Sequence, residues 1–550
     1  MATRVEEVTP RKVRDLWDKG TRATRMERQQ AAVNHWFIRN RMWVYWNSGS
    51  QRLEELPRSP GRVRASVARV GPDSRRIIAK LMRRAITFDV PPNSADDAAI
   101  HGSRVGEAAL RDAQVSQSWE QLRSDHAWQV WEAGVAGVVD EWDWTVGTPV
   151  AMDEQGRTIG TGEVRLTVAS IHEIACEPGT RDLERALWWV WGVAMPPKEV
   201  QELFGLKDEP KPDARALDSL RNVTQDEAVY DTPLTMVLTY FGRPANNQPG
   251  MVLKVVNDIV VEQADWPFPY SDRLNIAIAK CQPIHGKWFG HTPLSDAVSV
   301  QALYNASWSS IVEHMKLAGV ARLWCPMGSV DDLEELTDTP GEAIEYNAIN
   351  GARPQYEAPP VMPDWWIRQP DMLAKAMDDI LGVHDVSRGE APSGIESGVA
   401  LSILNENDDT PVGALAKELG ECWGRVASHV LKLWEANVRE TRQSMIHLPG
   451  NVPEVISWTG GDLLGQTTAT VPMDSVMPRS RAAQAAYAMQ LYDRKILTTP
   501  TELAKVADLP DQDDLVAGID PDTARRSGRT TRCRWGVPAP STRSTTTTTT

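Results

Sequence analysis

The sequence has little cysteine and no long apolar run. Its cysteines are odd in number and far apart (Cys176, Cys281, Cys325, Cys422 and Cys533), so no disulfide framework is implied. No apolar stretch approaches the ~18 residues that span a bilayer. The N-terminal MATRVEEVTPRKVRDLWDKG also lacks the apolar core of a signal peptide. We therefore expect a cytoplasmic protein with no membrane segment.

Common catalytic signatures are missing as well. No G-x-x-x-x-G-K-[ST] phosphate loop is present, which argues against a P-loop motor. No G-x-G-x-x-G follows a strand pattern, and neither H-E-x-x-H nor G-x-S-x-G occurs. The sequence therefore contains none of these motifs for nucleotide binding, metalloprotease activity or serine-hydrolase activity.

Two weaker candidate sites remain. Cys281, His285 and His291 in CQPIHGKWFGH resemble zinc ligands, but zinc needs a fourth ligand and none is close, so a plain loop is favoured. Asp140, Glu141 and Asp143 in VVDEWDW follow an apolar strand, where nuclease carboxylates often hold magnesium. Neighbouring strand residues point to opposite faces, so an exposed strand end is the better interpretation. His384 and His429 lie on or near helix faces and are expected to be packed. We predict no catalytic residue, metal or cofactor.

Tryptophan is abundant, with 22 residues against 6 phenylalanines and 9 tyrosines. Such side chains suit a large core or large packed interfaces equally well, and the sequence does not choose between them. The 41% apolar and 24% charged residues are typical of a folded soluble protein.

Charge is distributed unevenly along the chain. Residues 1–90 carry 20 Lys/Arg against 9 Asp/Glu, whereas the remaining 460 carry 39 against 65. A protein that grips duplex DNA presents a broad basic face, because its affinity comes from neutralised phosphates. Nucleic acid is therefore either not a partner of this protein or a partner that it must bind only weakly.

Hydrophobic periodicity predicts an α+β fold without a 20–50-residue repeat. In the first half we expect helices over 11–47, 74–85 and 95–138, a β region over 137–179, strands over 187–195 and 234–241, and a hairpin over 251–270 turning at Asn257-Asp258. In the second half we expect a helix from Pro293 to Gly319, an acidic strand-like insertion over 320–366, a helix opened by Pro370, a loop ending in NENDDTP, a helix over 412–439, and C-terminal helices over 479–492 and 500–507. The polar face of the helix from Pro293 includes Asn305 and Ser309.

This order of elements resembles that of tailed-bacteriophage portal proteins. The resemblance covers most of residues 10–520, and no single motif is diagnostic. It is carried by RMERQQAAVNHWFIRNRMWVYWNSG with RRIIAKLMRRAITFDVPP, by WDWTVGTPV with GEVRLTVASIHEIACEPGTRD, by FGHTPLSDAVSVQALYNASWSSIVEHMKLAG, and by TPGEAIEY before MLAKAMDDILGVHDVSRGEAPSGIESGVALSIL.

The resemblance implies a closed ring of about twelve copies at the capsid vertex. Double-stranded DNA is packaged and ejected through such a ring, which docks the terminase motor and later the head–tail adaptor. Major capsid and scaffolding proteins are further implied partners, and the virion is the implied location after assembly in the host cytoplasm. The role would be structural, not enzymatic.

The resemblance also implies a division of an elongated portal-like subunit. The expected parts are a mixed α/β wing (1–265), a linker into the stem (266–292), a stem helix (293–318), a β clip (319–366), a second stem helix (367–385), a tunnel loop region (386–411), a long helix below the wing (412–440), a wing return segment (441–478), crown helices (479–525) and a disordered or artefactual tail (526–550).

Two surfaces follow from this division. Tunnel-loop residues that would face DNA are Arg388, Ser393, Ser397, Asn405, Asn407 and Asp408. Clip residues that would dock the motor or adaptor are Asp331, Asp332, Glu334 and Glu335. Glycines make a loop pliable, and an acidic lining attracts phosphate little, so DNA could slide past it. The alternative is an ordinary helix connection whose NDDTP end caps the next helix.

The tail departs from the family pattern. After about Arg525 the chain reads RSGRTTRCRWGVPAPSTRSTTTTTT, where periodicity disappears. Six terminal threonines are what a hexahistidine codon run gives when read out of frame, so we expect a frameshift or cloning artefact and disorder.

Two other functions stay open. A magnesium-dependent nuclease, or another packaging enzyme, would be built on Asp140, Glu141 and Asp143. A capsid-associated scaffold would leave the order helix, acidic insertion, helix, loop and helix unexplained.

Overall fold

The architecture comes from a computed structural model. It describes residues 8–49, 52–59, 62–83, 85–152, 158–213, 233–245, 249–318, 322–327, 344–347, 355–357, 361–383, 398–448, 452–472, 488–489, 492 and 494. The chain divides into two compact units, residues 1–446 with 453–478 and residues 447–452 with 479–550. The first unit contains nearly all described residues, and the account below concerns it.

Helices α1 to α9 alternate with the strands of the first half and dominate the second. They are α1 Pro10–Ala23, α2 Arg25–Ile38, α3 Val70–Leu81, α4 Asp97–Ser116, α5 Trp119–Ala133, α6 Pro197–Phe204, α7 Pro293–Ala318, α8 Asp364–Leu381 and α9 Gly398–Asn437, with a 3-10 turn at Gly460–Leu463. Within the described residues, no helix is both long and apolar enough to cross a membrane.

Strands β1 to β19 form several small sheets. They are β1 Val44–Asn47, β2 Arg52–Glu55, β3 Val135–Asp143, β4 Pro149–Met152, β5 Thr158–Gly160, β6 Glu163–Ser170, β7 Ile174–Cys176, β8 Trp188–Met195, β9 Thr235–Gly242, β10 Met251–Val256, β11 Ile259–Asp265, β12 Ile276–Lys280, β13 Gln282–Pro283, β14 Gly290–His291, β15 Arg322–Pro326, β16 Ile344–Tyr346, β17 Gln355–Glu357, β18 Arg442–Leu448 and β19 Val452–Trp458. The mixture confirms the expected α+β class in its coarse form.

The core is organised around a three-stranded antiparallel sheet in the order β12-β3-β6. The first six residues of β3 are all buried, as a continuous apolar run predicts for a strand covered on both faces. Helices α5 and α9 pack against this sheet. Strand β12 lies inside the range expected to be a linker, and four of its five residues are buried.

A second sheet has the order β11-β10-β9-β8-β7, and all its pairs are antiparallel. Its β10–β11 hairpin turns at Asn257 and Asp258, whose φ angles are 50° and 57°. Two positive φ angles give the right-handed twist that a two-residue hairpin needs, and Asn and Asp tolerate them. The predicted hairpin and its turn are confirmed.

Two predicted long helices are each interrupted. Residues 11–47 form α1, α2 and then β1, because the chain breaks at Thr24, whose φ is −112°. Residues 95–138 form α4, α5 and the start of β3, with Ser118 in the left-handed region at φ 53°. Both breaks lie at single polar residues, and apolar spacing on either side of them stays helical.

Helix α7 has the predicted bounds, but α8 begins earlier than predicted. It starts at Asp364, so Pro370 lies inside the helix instead of opening it. An interior proline removes one backbone hydrogen bond. Stacking of Trp365 on Trp366, and an edge contact of Trp366 with His314 on α7, stabilise the turns that precede it.

The prediction that a loop extends to residue 411 is wrong for residues 398–411. These residues form the beginning of α9, a 40-residue helix that passes through Pro411. Helix growth is cooperative, so a firmly buried helix can extend through a poor sequence once its nucleus exists. Residues 386–397 of the predicted loop lie outside the described residues.

Many of the tryptophans lie in the core. Nine of the described ones are buried: Trp17, Trp36, Trp119, Trp131, Trp189, Trp288, Trp423, Trp434 and Trp458. Trp144 and Trp365 are exposed at 50% and 67%. Packing within one subunit therefore explains much of the tryptophan content, and a small exposed group remains.

Candidate functional site

The C-terminal half of α9 is anchored to the central sheet by a buried acid. Asp140 on β3 is fully buried. Its carboxylate accepts the Tyr270 hydroxyl and lies 2.9 Å from Nδ1 of His429 on α9. The Tyr270 and His429 rings stack with centroids 4.5 Å apart. A face of α9 and the segment between β11 and β12 are thereby fixed to one carboxylate on β3.

Burial and the neighbouring carboxylate both act on Tyr270. Desolvation, followed by the charge and hydrogen bond of Asp140, raises the pKa of Tyr270 well above its ordinary value. Tyr270 is therefore a neutral hydrogen-bond donor at neutral pH. This arrangement holds position and does not activate a nucleophile.

A second buried acid performs the same task one helical turn away. Glu184 accepts the backbone N–H of Ile278 on β12 at 3.0 Å and Nε of Arg425 on α9 at 3.0 Å. Arg273 approaches its other oxygen at 3.3 Å. Arg425 also donates to the Ile278 carbonyl oxygen at 2.8 Å. Because each charge is paired and hydrogen-bonded, the desolvation cost is offset and α9 is held in one register.

Helix α7 is attached to the N-terminal region by side chains spaced one turn apart. The acceptors are Ser309 for the backbone N–H of Ala65 (2.9 Å), Asn305 for that of Val67 (3.1 Å) and Gln301 for that of Arg69 (3.1 Å). The predicted polar face at Asn305 and Ser309 is thus a buried ladder that replaces a sheet partner for an extended segment.

The same segment joins α7 to α8. NH2 of Arg69 contacts both carboxylate oxygens of Asp378 on α8, at 2.8 and 3.0 Å. Helices α7 and α8 also pack directly against each other. The two helices that bracket residues 319–363 therefore form one firmly joined pair.

The carboxylates proposed for a nuclease do not converge. The interpretation of this stretch as an exposed strand end is wrong for Asp140, which is fully buried and engaged by Tyr270 and His429. Desolvation is the main cause that raises the pKa of Glu141. Asp143 accepts from the backbone N–H and hydroxyl of Thr145. Adjacent strand residues face opposite sides, so this geometry does not support a shared magnesium site.

The three proposed zinc ligands also differ in burial and in hydrogen-bond partners. Cys281 is buried, and desolvation raises the pKa of its thiol to about 12, which disfavours the thiolate that binds zinc. His291 pairs with Asp296 at 2.9 Å, and His285 is exposed. In the described part of the chain no cluster of three potential metal ligands is found.

The predicted DNA-facing and docking residues are only partly described. Asn405, Asn407 and Asp408 lie on α9, upstream of its anchored half. Arg388, Ser393 and Ser397 lie outside the described residues, as do the predicted docking residues Asp331, Asp332, Glu334 and Glu335. His384 is likewise outside, whereas His429 is packed as expected.

Sequence reasoning did not single out Glu184, and it named Asp140 only as a candidate magnesium ligand. Glu184 and Arg425 are 241 residues apart, and Asp140 and His429 are 289 apart. Each lies in an otherwise ordinary amphipathic pattern, so no local signal pairs them.

The chain is similar to a known family of phage proteins. The model of the phage P22-like portal protein family matches residues 209–476, which include α7, β15 to β17, α8 and α9. No curated protein matches the chain.

Proposed function

We propose, on the premise that the matched region is that of a tailed-phage portal protein, that copies of this chain form the ring through which double-stranded DNA enters and leaves the capsid. The family match confirms the resemblance to portal proteins. That family is structural rather than enzymatic, and it implies a homo-oligomeric ring in a phage capsid.

The family match over the helical half carries the proposal. It spans two joined helices, α7 and α8, that bracket a segment with a small sheet in the order β16-β15-β17, followed by α9. In this proposal α7 and α8 are the stem, residues 319–366 are the clip that docks the terminase and later the adaptor, and residues 1–265 are the wing.

The region 386–411 is proposed to face the DNA. The described part of it is helical, so its polar residues are presented from a helix whose far half is locked to the core. Asn405, Asn407 and Asp408 provide polarity with little attraction for phosphate, so few counterion-releasing contacts have to be broken as DNA moves. A helix that is anchored at one end and attracts DNA phosphates only weakly at the other suits a channel through which DNA moves.

The assembly part of the proposal is tested by negative-stain electron microscopy with native mass on the same sample. We expect rings with a central hole and about twelve copies per particle. A folded chain that stays monomeric or dimeric at all concentrations tested, and in the presence of capsid and scaffolding proteins, would contradict the proposal.

The channel part is tested by charge reversal. Rings carrying Asn405→Lys and Asp408→Lys should retain duplex DNA more strongly than the parent, with a salt dependence that steepens by roughly one unit of slope per added phosphate contact. The control with the same charge change is Glu199→Lys with Leu203→Lys, at exposed positions of α6. Equal retention by the two variants would place residues 405–408 away from the DNA.

A further inference from the structure

The outer edge of β6 is open in its middle. The backbone N–H groups of Val164 and Ser170 donate to side chains, Glu163 and Glu173, so these residues face away from β3. Because backbone groups alternate between the two edges of a strand, Leu166 and Val168 also face outward. No hydrogen bond to the N–H or C=O of either residue occurs in the part of the chain that the structure describes.

Independent evidence supports this assignment. On β3 the N–H of Asp140 donates toward β12, to the carbonyl oxygen of Asn275. Asp140 is paired with Leu166 across the sheet. Their backbone groups therefore point away from each other, and those of Leu166 point to the open edge.

A cleft of about 570 Å³ lies along this edge, between β6, α2 and α5. Its apolar lining includes Ile38, Leu122, Trp128, Leu166 and Val168.

Two polar atoms in the cleft-lining residues have no partner in the described chain. They are Nε2 of His35 and Oε1 of Gln129, both shielded from solvent. His35 is more than nine-tenths buried, and its other ring nitrogen pairs with Glu132. Buried polar groups normally have partners, so these two atoms leave unused hydrogen-bonding capacity beneath the surface of the cleft.

The same sheet also carries an exposed apolar extension. We call it the arm: residues 144–152 and 158–162, which continue the β3–β6 ladder through hydrogen bonds such as Gly160 N–H to the Trp144 carbonyl oxygen (2.7 Å). The arm exposes Trp144 (50%), Val146 (48%), Val150 (69%) and Met152 (74%). All four residues of β4 are exposed, and β4 pairs with β5 alone among the described strands.

We propose that β4 of the arm of one copy adds to the open edge of β6 in the cleft of the next copy. This rests on the proposed function, because a ring brings a second copy to each subunit. A closed head-to-tail ring needs two different, complementary surfaces on one chain, and the cleft and the arm are two such surfaces.

The chemistry of the two surfaces matches. Strand β4 has one edge free among the described strands, although its register against β5 is irregular between Pro149 and Ala151 and Pro149 has no N–H to donate. The backbone groups of residues 150–152 on that edge would meet those of Leu166 and Val168 on β6. The exposed side chains of Val150 and Met152 would pack against the apolar lining of the cleft. Addition of a strand to an open edge supplies affinity from the backbone and specificity from the side-chain pockets.

The proposal is tested by cross-linking between copies. One sample of the full chain carries Val150→Cys and the other Arg39→Cys, at the mouth of the cleft, both with Cys533→Ser. The described native cysteines are buried. Rings assembled from an equal mixture and oxidised should give cross-linked dimers, whereas each sample assembled alone should not. The control mixture pairs Arg39→Cys with Leu203→Cys, an exposed position on α6.

The outcomes separate this proposal from the proposed function. Rings without a cross-link above the control overturn the arm–cleft contact and leave the portal function standing. Folded chains that form no ring and no cross-link, also in the presence of capsid and scaffolding proteins, contradict both. A cross-link without rings under the same conditions supports the contact and contradicts the portal function.

A second variant measures the contribution of the arm. Val150→Asp with Met152→Asp should raise the subunit concentration needed for half-assembly about tenfold or more, because two apolar contacts are lost. Leu203→Asp is the control. An unchanged assembly concentration would overturn the proposal.

Discussion

The two ends of the β3–β6 ladder differ sharply. At one end Val138 and Val139 are at most 1% exposed and Asp140 is buried with its partners. Past the other end, in the arm, Val150 and Met152 are exposed at 69% and 74%. Apolar residues of similar kind thus fill a core in one place and lie open in another. One continuous hairpin therefore provides stability at its base and an exposed apolar surface at its tip.

The largest effect that we predict is at the buried end. Asp140→Ala should lower the free energy of unfolding by about 3–5 kcal/mol, since Tyr270 and His429 would lose their common acceptor in a buried site. Urea unfolding followed by circular dichroism measures it. Tyr270→Phe removes one donor and should cost about 1–2 kcal/mol. If Asp140→Ala lowered the free energy of unfolding by less than Tyr270→Phe does, the carboxylate of Asp140 would not be the anchor.

The junction between base and arm gives the next test. Gly162 has φ 82°, and a Cβ there would overlap the Trp142 indole. Gly162→Ala should therefore cost about 2–3 kcal/mol from strain and crowding. Gly179 has φ 85° with open space around it, so Gly179→Ala should cost only about 1 kcal/mol. Equal losses in urea unfolding would mean that the junction is not tightly packed.

A buried histidine makes the base sensitive to acid. His126 is fully buried, Nε2 lies 3.3 Å from the Ala136 carbonyl oxygen, and Nδ1 has no partner in the described chain. Desolvation, with a smaller effect of Arg425, lowers the pKa of His126 from 6.5 to about 4. The unfolded chain therefore binds more protons below pH 6.5, and stability falls as pH drops from 6.5 toward 4.

Between pH 7 and pH 5 this group should account for about 2 kcal/mol of lost stability. The parent and His126→Gln are each unfolded in urea at pH 7 and at pH 5. The variant should lose less on acidification. Parallel losses would indicate that His126 is not held neutral.

The smallest expected effect on folding is at the arm. Val150→Asp with Met152→Asp should change the free energy of unfolding of the unassembled subunit by less than about 0.5 kcal/mol, because both side chains are exposed there. The same urea assay measures it. A loss comparable with that of Gly162→Ala would mean that the arm belongs to the folding core, contrary to the comparison drawn above.

Much of the local structure was predictable from the sequence. The turn at Asn257-Asp258 needs residues that accept positive φ, and the pattern from Pro293 defines α7 at both ends. The start of α9 was not predictable, since Gly398 and the NENDDTP run have the composition of a loop. What overrides that composition is the burial of the later turns of the same helix.

The candidate site was predictable only in outline. The order of helices and insertion was readable, and the family match over residues 209–476 agrees with it. The roles of Asn305 and Ser309 were not, because a polar helix face is equally consistent with solvent or with a buried ladder. The prediction of an exposed strand end was wrong for Asp140, because the strand is covered on both faces there, and the distant partners that engage this carboxylate could not be named from the sequence.

The sequence by itself determined where turns, helix bounds and strand alternation lie, because these depend on backbone preference and on side chains within a few residues. Only the tertiary structure decided which polar groups became anchors and which apolar groups stayed exposed. Glu184 with Arg425, Asp140 with His429, and the open edge at Leu166 and Val168 all depend on neighbours far away in the chain. Burial and hydrogen-bond partnership are properties of the packed molecule, so no local pattern encodes them.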